Sequence, residues 1–60
     1  MSRWHVRLCF TWGRKPVNHT EHTFYPEANS ESEAKKKALE EARARYPNEK
    51  FEGVVDIYPY

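Results

Sequence analysis

Four side chains in this 60-residue chain have the chemistry to bind a metal or supply a nucleophile–base pair: His5, His19, His22 and Cys9. Their spacing argues against both uses. On an extended strand, His19 and His22 are three residues apart and point to opposite faces. His5 and Cys9 share a face but lie about 13 Å apart by strand rise, too far for one zinc ion. A metal site within one subunit is therefore not expected. Cys9 would need His5 or Arg7 to lower its pKa before it could act as a thiolate, and an inert thiol is the better reading. Asp56 is the only aspartate, and Gly13 and Gly53 are the only glycines, so there is no glycine-rich phosphate loop. No nucleophile, base and orienting acid can be brought into one cleft. The chain reads as a non-enzyme that needs no cofactor and no metal.

The residues that remain suit binding. Arg3, His5, Arg7, Tyr25, Val54 and Tyr58 would form a mixed aromatic and cationic surface if all stood on one open sheet face. Rings beside arginines mark protein interfaces. They also serve single-stranded RNA, where rings stack bases and cations hold phosphates. Glu21 and Asp56 fall on the same face and weaken the phosphate use, so protein contact is the preferred reading and RNA the alternative. A second group comprises Trp12, Arg14 and Lys15 at a turn and Tyr60 at the C-terminal end. An exposed Trp beside two cations, or a Tyr-Pro-Tyr end ordered by a partner, would supply contact area. Read plainly, Trp12 closes the rim of the core and Tyr60 belongs to a frayed tail.

The elements that would position these groups can be read from periodicity. Over residues 3–12, Trp4, Val6, Leu8, Phe10 and Trp12 alternate with Arg3, His5, Arg7, Cys9 and Thr11, as in a strand with one buried face. Gly13 to Pro16 supplies a turn. Residues 17–25 read as a second strand. Facing Glu21 inward would bury an unpaired carboxylate, so Phe24 is placed inward and Tyr25 outward. Ser30 and Glu33 form a capping box for a helix from Glu31 to Tyr46, which Pro47 ends. Glu31 and Glu33 open that helix and Arg43 and Arg45 close it, complementing its dipole. Its inward stripe, Ala34, Ala38, Leu39, Ala42 and Tyr46, is small enough to lie close to a sheet. Residues 51–58 read as a third strand with Phe51, Gly53, Val55 and Ile57 inward and Glu52, Val54, Asp56 and Tyr58 outward. The expected fold is α+β: a single ββαβ domain over residues 1–60, with a three-stranded antiparallel sheet in the order 2-1-3 and one helix packed on one face.

Charge on the helix is largely self-compensated. Glu31–Lys35, Glu33–Lys37 and Glu41–Arg45 are i,i+4 pairs in the favourable order. Lys35, Lys36 and Lys37 splay over roughly 200° and form no stripe. The whole chain carries 10 Lys and Arg against 9 Asp and Glu, which argues against a strongly basic coat protein and an acidic nucleic-acid mimic. No apolar run approaches the ~18 residues of a membrane span, and no membrane partner is expected. The single thiol and the absence of an apolar leader point to a reducing, cytoplasmic setting. With one cysteine there is no internal disulfide, and small domains without staples often rely on dense packing or association. Val54, Val55, Ile57 and Tyr58 make the third strand the edge better suited to a second chain, so a homodimer through that edge or the open face is one expected form.

The polar second strand running on to Ala28, followed by Ser30-Glu31-Ser32-Glu33-Ala34 opening an Ala- and Glu-rich helix, resembles small ββαβ accessory proteins of phages and mobile elements. The resemblance covers most of the chain. It implies a binding role, toward host proteins or nucleic acids, and carries over no catalytic residue.

Overall fold

The computed structural model describes residues 2–60. Strand β1 spans Ser2–Trp12, β2 Asn18–Phe24 and β3 Glu27–Ala28; helix α1 spans Glu31–Arg45 and β4 Lys50–Pro59. The sheet is antiparallel with β1 at its centre: β2 and β3 pair with β1, and so does β4. The expected α+β class and the central first strand stand, but the sheet has four strands and not three.

The extra strand has a local cause. Val6 pairs with Phe24 and Ser2 with Ala28, so β3 continues the register of β2. Pro26 sits in the gap between them. The Trp4 N–H donates to the Pro26 carbonyl at 2.9 Å, but proline has no N–H to return the bond. The ladder is interrupted for two residues and resumes at Glu27.

The alternation of β1 sets the core. Val6, Leu8 and Phe10 are buried together with Phe24, Ala28 and the helix alanines Ala34, Ala38 and Ala42. Trp4, Leu39, Tyr46, Phe51 and Ile57 pack against this cluster and are half-buried. Three alanines at i, i+4 and i+8 let the helix backbone lie close to the strand, and the facing aromatic and aliphatic side chains fill the space. Ser30 caps the helix, its Oγ accepting from the Glu33 N–H at 3.3 Å. The Glu33 carboxylate takes Lys37 Nζ at 3.3 Å. Tyr46, expected inside the helix, is its C-cap, and its N–H donates to the Ala42 carbonyl at 2.7 Å.

The expected facing of β4 holds at its ends and fails in the middle. Ile57 pairs with Val6 and Phe51 with Phe10, as an inward pair should. Between them the register shifts twice: Arg7 pairs with Asp56 but Leu8 with Val54, and Cys9 with Gly53 but Phe10 with Phe51. Val55 and Glu52 are left without a partner, which is the pattern of a β-bulge. The two one-residue bulges add to a two-residue shift, an even number, so both ends keep their parity. Between the bulges Gly53 moves opposite Cys9 on the open face, and Val54 moves opposite Leu8. The strict period of two could not reveal this.

The molecule is long for its size, with extents of 41 × 19 × 13 Å and a radius of gyration of 11.8 Å. About 10.4 Å is expected for a compact 60-residue domain. The helix explains the difference. Its last turn reaches His22, opposite Leu8, where Tyr46 stacks on the imidazole. From there the β1–β2 hairpin continues past the end of the helix to Trp12, about 14 Å beyond Leu8 by strand rise. No helix among the described residues is long and apolar enough to cross a membrane.

The two glycines are not equivalent. Gly13 has φ +85°, a conformation that costs L side chains energy, and a Cβ there would meet Asn18 Nδ2 at 3.2 Å. At Gly53 a Cβ would meet nothing within 4 Å, and φ is not positive. Gly53→Ala should therefore stabilise the fold by about 0.4–1 kcal/mol through the unfolded chain, whereas Gly13→Ala should destabilise it by about 1 kcal/mol or more. Urea denaturation of the two variants beside the parent tests the pair; equal shifts in midpoint would contradict it.

Candidate functional site

On the face of the sheet away from the helix, β1 presents Arg3, His5, Arg7 and Cys9. The register brings Tyr25 and Thr23 alongside from the β2 edge and Tyr58, Asp56 and Gly53 from β4. The centre of this surface is a ring cluster. His5 stacks on Tyr58 with centroids 4.4 Å apart and planes 11° from parallel, and it meets Tyr25 edge-on at 5.6 Å. Tyr60 adds a fourth ring, 5.0 Å from Tyr25. These rings remain open to solvent: Tyr25 is 45% exposed, Tyr58 48% and Tyr60 75%. Of the two expectations for Tyr60, a contact residue or a frayed tail, its backbone does not fit the second: its N–H donates to the Arg3 carbonyl at 2.9 Å, extending the β1–β4 ladder by one bond.

The arginines of this face are occupied. Arg3 donates to the backbone carbonyl of Tyr25 and to Glu27 Oε1 at 2.9 Å. Arg7 pairs with Glu21 Oε1 at 2.6 Å and stands opposite Asp56. Around the rings two arginines thus face three carboxylates. Each exposed pair contributes little to stability, but together they leave neither arginine of this face without a carboxylate partner.

Of the expected open-face residues, Arg3, His5, Arg7, Tyr25 and Tyr58 come together. Val54 does not: the bulges set it opposite Leu8, and it is an exposed residue of the β4 edge. Trp12, Arg14 and Lys15 lie at the far end of the hairpin, seven residues along β1 from His5, about 24 Å away by strand rise. The expected turn-and-terminus group therefore splits. Tyr60 joins the ring cluster, and Trp12 with the two cations forms a separate pole. Trp12 is 48% exposed and Val17, beside it in the turn, 51%.

The histidines part as strand spacing requires. His19 pairs with Thr11 on the open face, while His22 pairs with Leu8 on the helix side. There His22 stacks on Tyr46 at 3.8 Å with planes 9° from parallel, and its Nε2 lies 2.8 Å from Glu49 Oε1. The Glu49 N–H in turn donates to the Tyr46 carbonyl at 3.1 Å. This fastening of the helix end to the sheet was not legible in the sequence: His22, Tyr46 and Glu49 have no shared spacing and meet only through the fold. Cys9 is a half-buried free thiol opposite Gly53 and Glu21. Among the described residues no group of three His, Cys, Asp or Glu side chains is arranged to hold a metal ion.

No protein-family model matches the chain, and no curated protein or solved structure is significantly similar to it. The site must be read from its own geometry.

The stack and bond at His22 should be worth about 1–2 kcal/mol together. His22→Ala and Glu49→Ala should each destabilise the fold, and a double-mutant cycle in urea should return a coupling of about 0.5–1 kcal/mol. Additive losses would show that the two side chains act independently.

Proposed function

We propose that this protein is a non-enzymatic accessory module that acts by protein–protein contact through its open sheet face, centred on His5, Tyr25, Tyr58 and Tyr60. The observation that carries this reading is the combination of exposed rings in mutual contact, stacked at His5–Tyr58 and edge-on or tilted at Tyr25, with arginines already neutralised by carboxylates. Aromatic side chains held rigid by their neighbours present large area at little entropic cost, the character of interface hot spots. Satisfied ion pairs at the margin form a polar rim. The same pairing weighs against single-stranded RNA on this face, because a polyanion would have to displace Glu21 and Glu27 and approach Asp56.

The open face is also preferred to the β4 edge as the contact. Bulges at Val55 and Glu52 break the regular row of outward hydrogen-bonding groups, and Pro59 removes one donor; both are devices that blunt edges. A partner, whether a second copy or another protein, is better served by the exposed ring cluster.

Tyr25→Thr and Tyr58→Thr keep strand propensity while removing the rings. Placing a photo-crosslinking residue at Thr23, between the rings and Glu21, should trap one discrete protein adduct in the native host, insensitive to nuclease. Sedimentation of the purified protein identifies the case in which that adduct is a second copy. Each Tyr→Thr change should weaken the captured interaction by about 2 kcal/mol, near 30-fold. Undiminished binding by the double variant, or loss of the adduct on nuclease treatment, would refute the reading.

A further inference from the structure

The opposite end of the molecule has a different character. From Cys9 to Thr20 the chain carries no Asp or Glu. Within this stretch the hairpin end presents Arg14 and Lys15 in the turn, with Trp12 and Val17 flanking them, all exposed. His19 pairs with Thr11 from one side and Lys50 from the other, so both stand at the same end of the sheet. Among the described residues, Arg14, Lys15 and Lys50 make no ion pair, nor do Lys35, Lys36 and Arg43 on the helix, while Arg3, Arg7, Lys37 and Arg45 each do; only the first group stands beside an exposed tryptophan. The helix ends at Tyr46, level with Leu8, and reaches toward this pole as far as Phe51, where Lys35 Nζ lies 5.8 Å from the ring centroid. An exposed indole thus stands with Arg14, Lys15 and Lys50 at the end of the sheet, where only the Trp12–Asn18 pair and the turn extend beyond the first residue of β4.

We infer that this hairpin end binds single-stranded nucleic acid, with Trp12 stacking on an unpaired base and Arg14, Lys15 and Lys50 holding the adjacent phosphates. The chemistry favours this partner over a protein. Arg14 and Lys15 lie in a stretch without acids, and Glu49 beside Lys50 is taken by His22; such cations suit a polyanion, and the salt-sensitive phosphate term is the part of nucleic-acid binding that needs no sequence-specific pocket. An indole face stacks on any base, provided that the base is not already stacked in a duplex. A single exposed indole gains its stacking only on an unpaired base, which favours an extended single strand over a duplex at this tip. The inference is independent of the open-face reading, whose rings lie about 24 Å away by strand rise.

The experiment uses the intact chain carrying Trp4→Phe, so that Trp12 is the sole tryptophan; Trp4 is the half-buried one, bonded through Nε1 to the Ala28 carbonyl at 3.2 Å. Twelve-nucleotide oligo-dT and oligo-U are titrated at low salt while indole fluorescence is followed, with binding also measured by anisotropy of a labelled oligonucleotide. Expected are quenching of Trp12 and a slope of log K against log salt near −2, from three phosphate contacts at roughly −0.7 each. Trp12→Ala should weaken binding by about tenfold or more, and Arg14→Glu with Lys15→Glu should abolish it. Because the charge reversal lies in the turn outside the core, its circular dichroism spectrum should stay unchanged, which keeps the test valid if Trp12→Ala perturbs the rim. Absence of binding at low salt would overturn the inference. So would equal affinity for duplex DNA or inorganic polyphosphate, or binding that survives the charge reversal. Loss of binding in the Tyr25→Thr, Tyr58→Thr variant with the hairpin intact would move the site to the open face and overturn it as well.

Discussion

The structure depends on one strand, β1, with which every other strand among the described residues pairs. β2, β3 and β4 each pair with β1, and the helix lies across the face where Val6, Leu8 and Phe10 emerge. Because successive side chains of a strand alternate, β1 commits one set of residues to the core and the other to the open face at a stroke. A single-residue slip would bring arginines under the helix, so the register is strongly specified. The price of building a domain around so few apolar side chains is that the helix must come very close, and Ala34, Ala38 and Ala42 provide that approach.

A core of this size gains from fasteners at its margins. Arg3 links the second-strand edge to β1 through Tyr25 and Glu27, while its carbonyl receives Tyr60 from the other edge. Lys37 reaches from the helix to the Glu27 carbonyl at 2.6 Å, and Trp4 from β1 to the Ala28 carbonyl. His22, Tyr46 and Glu49 close the opposite end of the helix. Each is a polar or aromatic contact across the sequence, joining elements that a larger protein would hold by apolar burial alone. None requires a disulfide, consistent with the free thiol at Cys9.

The residues differ in how openly they declared their places. The alternation of Trp4 to Trp12, the Ser30 cap and the alanine stripe are local patterns tied to one geometry each, and they were legible. So was the outward facing of Tyr25, because burying Glu21 would have been costly. The bulges in β4 were not: Phe51 to Tyr58 fits a regular strand equally well, and only pairing with β1 decides where a residue is left over. Pro26 signalled an interruption, but not that the chain would rejoin the same register at Glu27. The site was visible in part for the same reason. His5 and Arg7 follow from the rhythm of β1, whereas the stacking of His5 on Tyr58 and the capture of Tyr60 depend on a cross-strand register that no local pattern contains.

The distribution of charge follows from this architecture. Where three strands run side by side, an arginine on β1 finds carboxylates on its neighbours: Glu27 and Glu21 from one edge and Asp56 from the other. Cross-strand geometry thus neutralises the open face around its rings. At the hairpin end β4 is only beginning, the helix has already ended, and the chain supplies no acid to answer Arg14 and Lys15. The same sheet therefore carries a neutralised aromatic centre and an uncompensated cationic tip. Their separation is set by the length of β1, so substitutions at one can alter its chemistry while leaving the packing beneath the other intact.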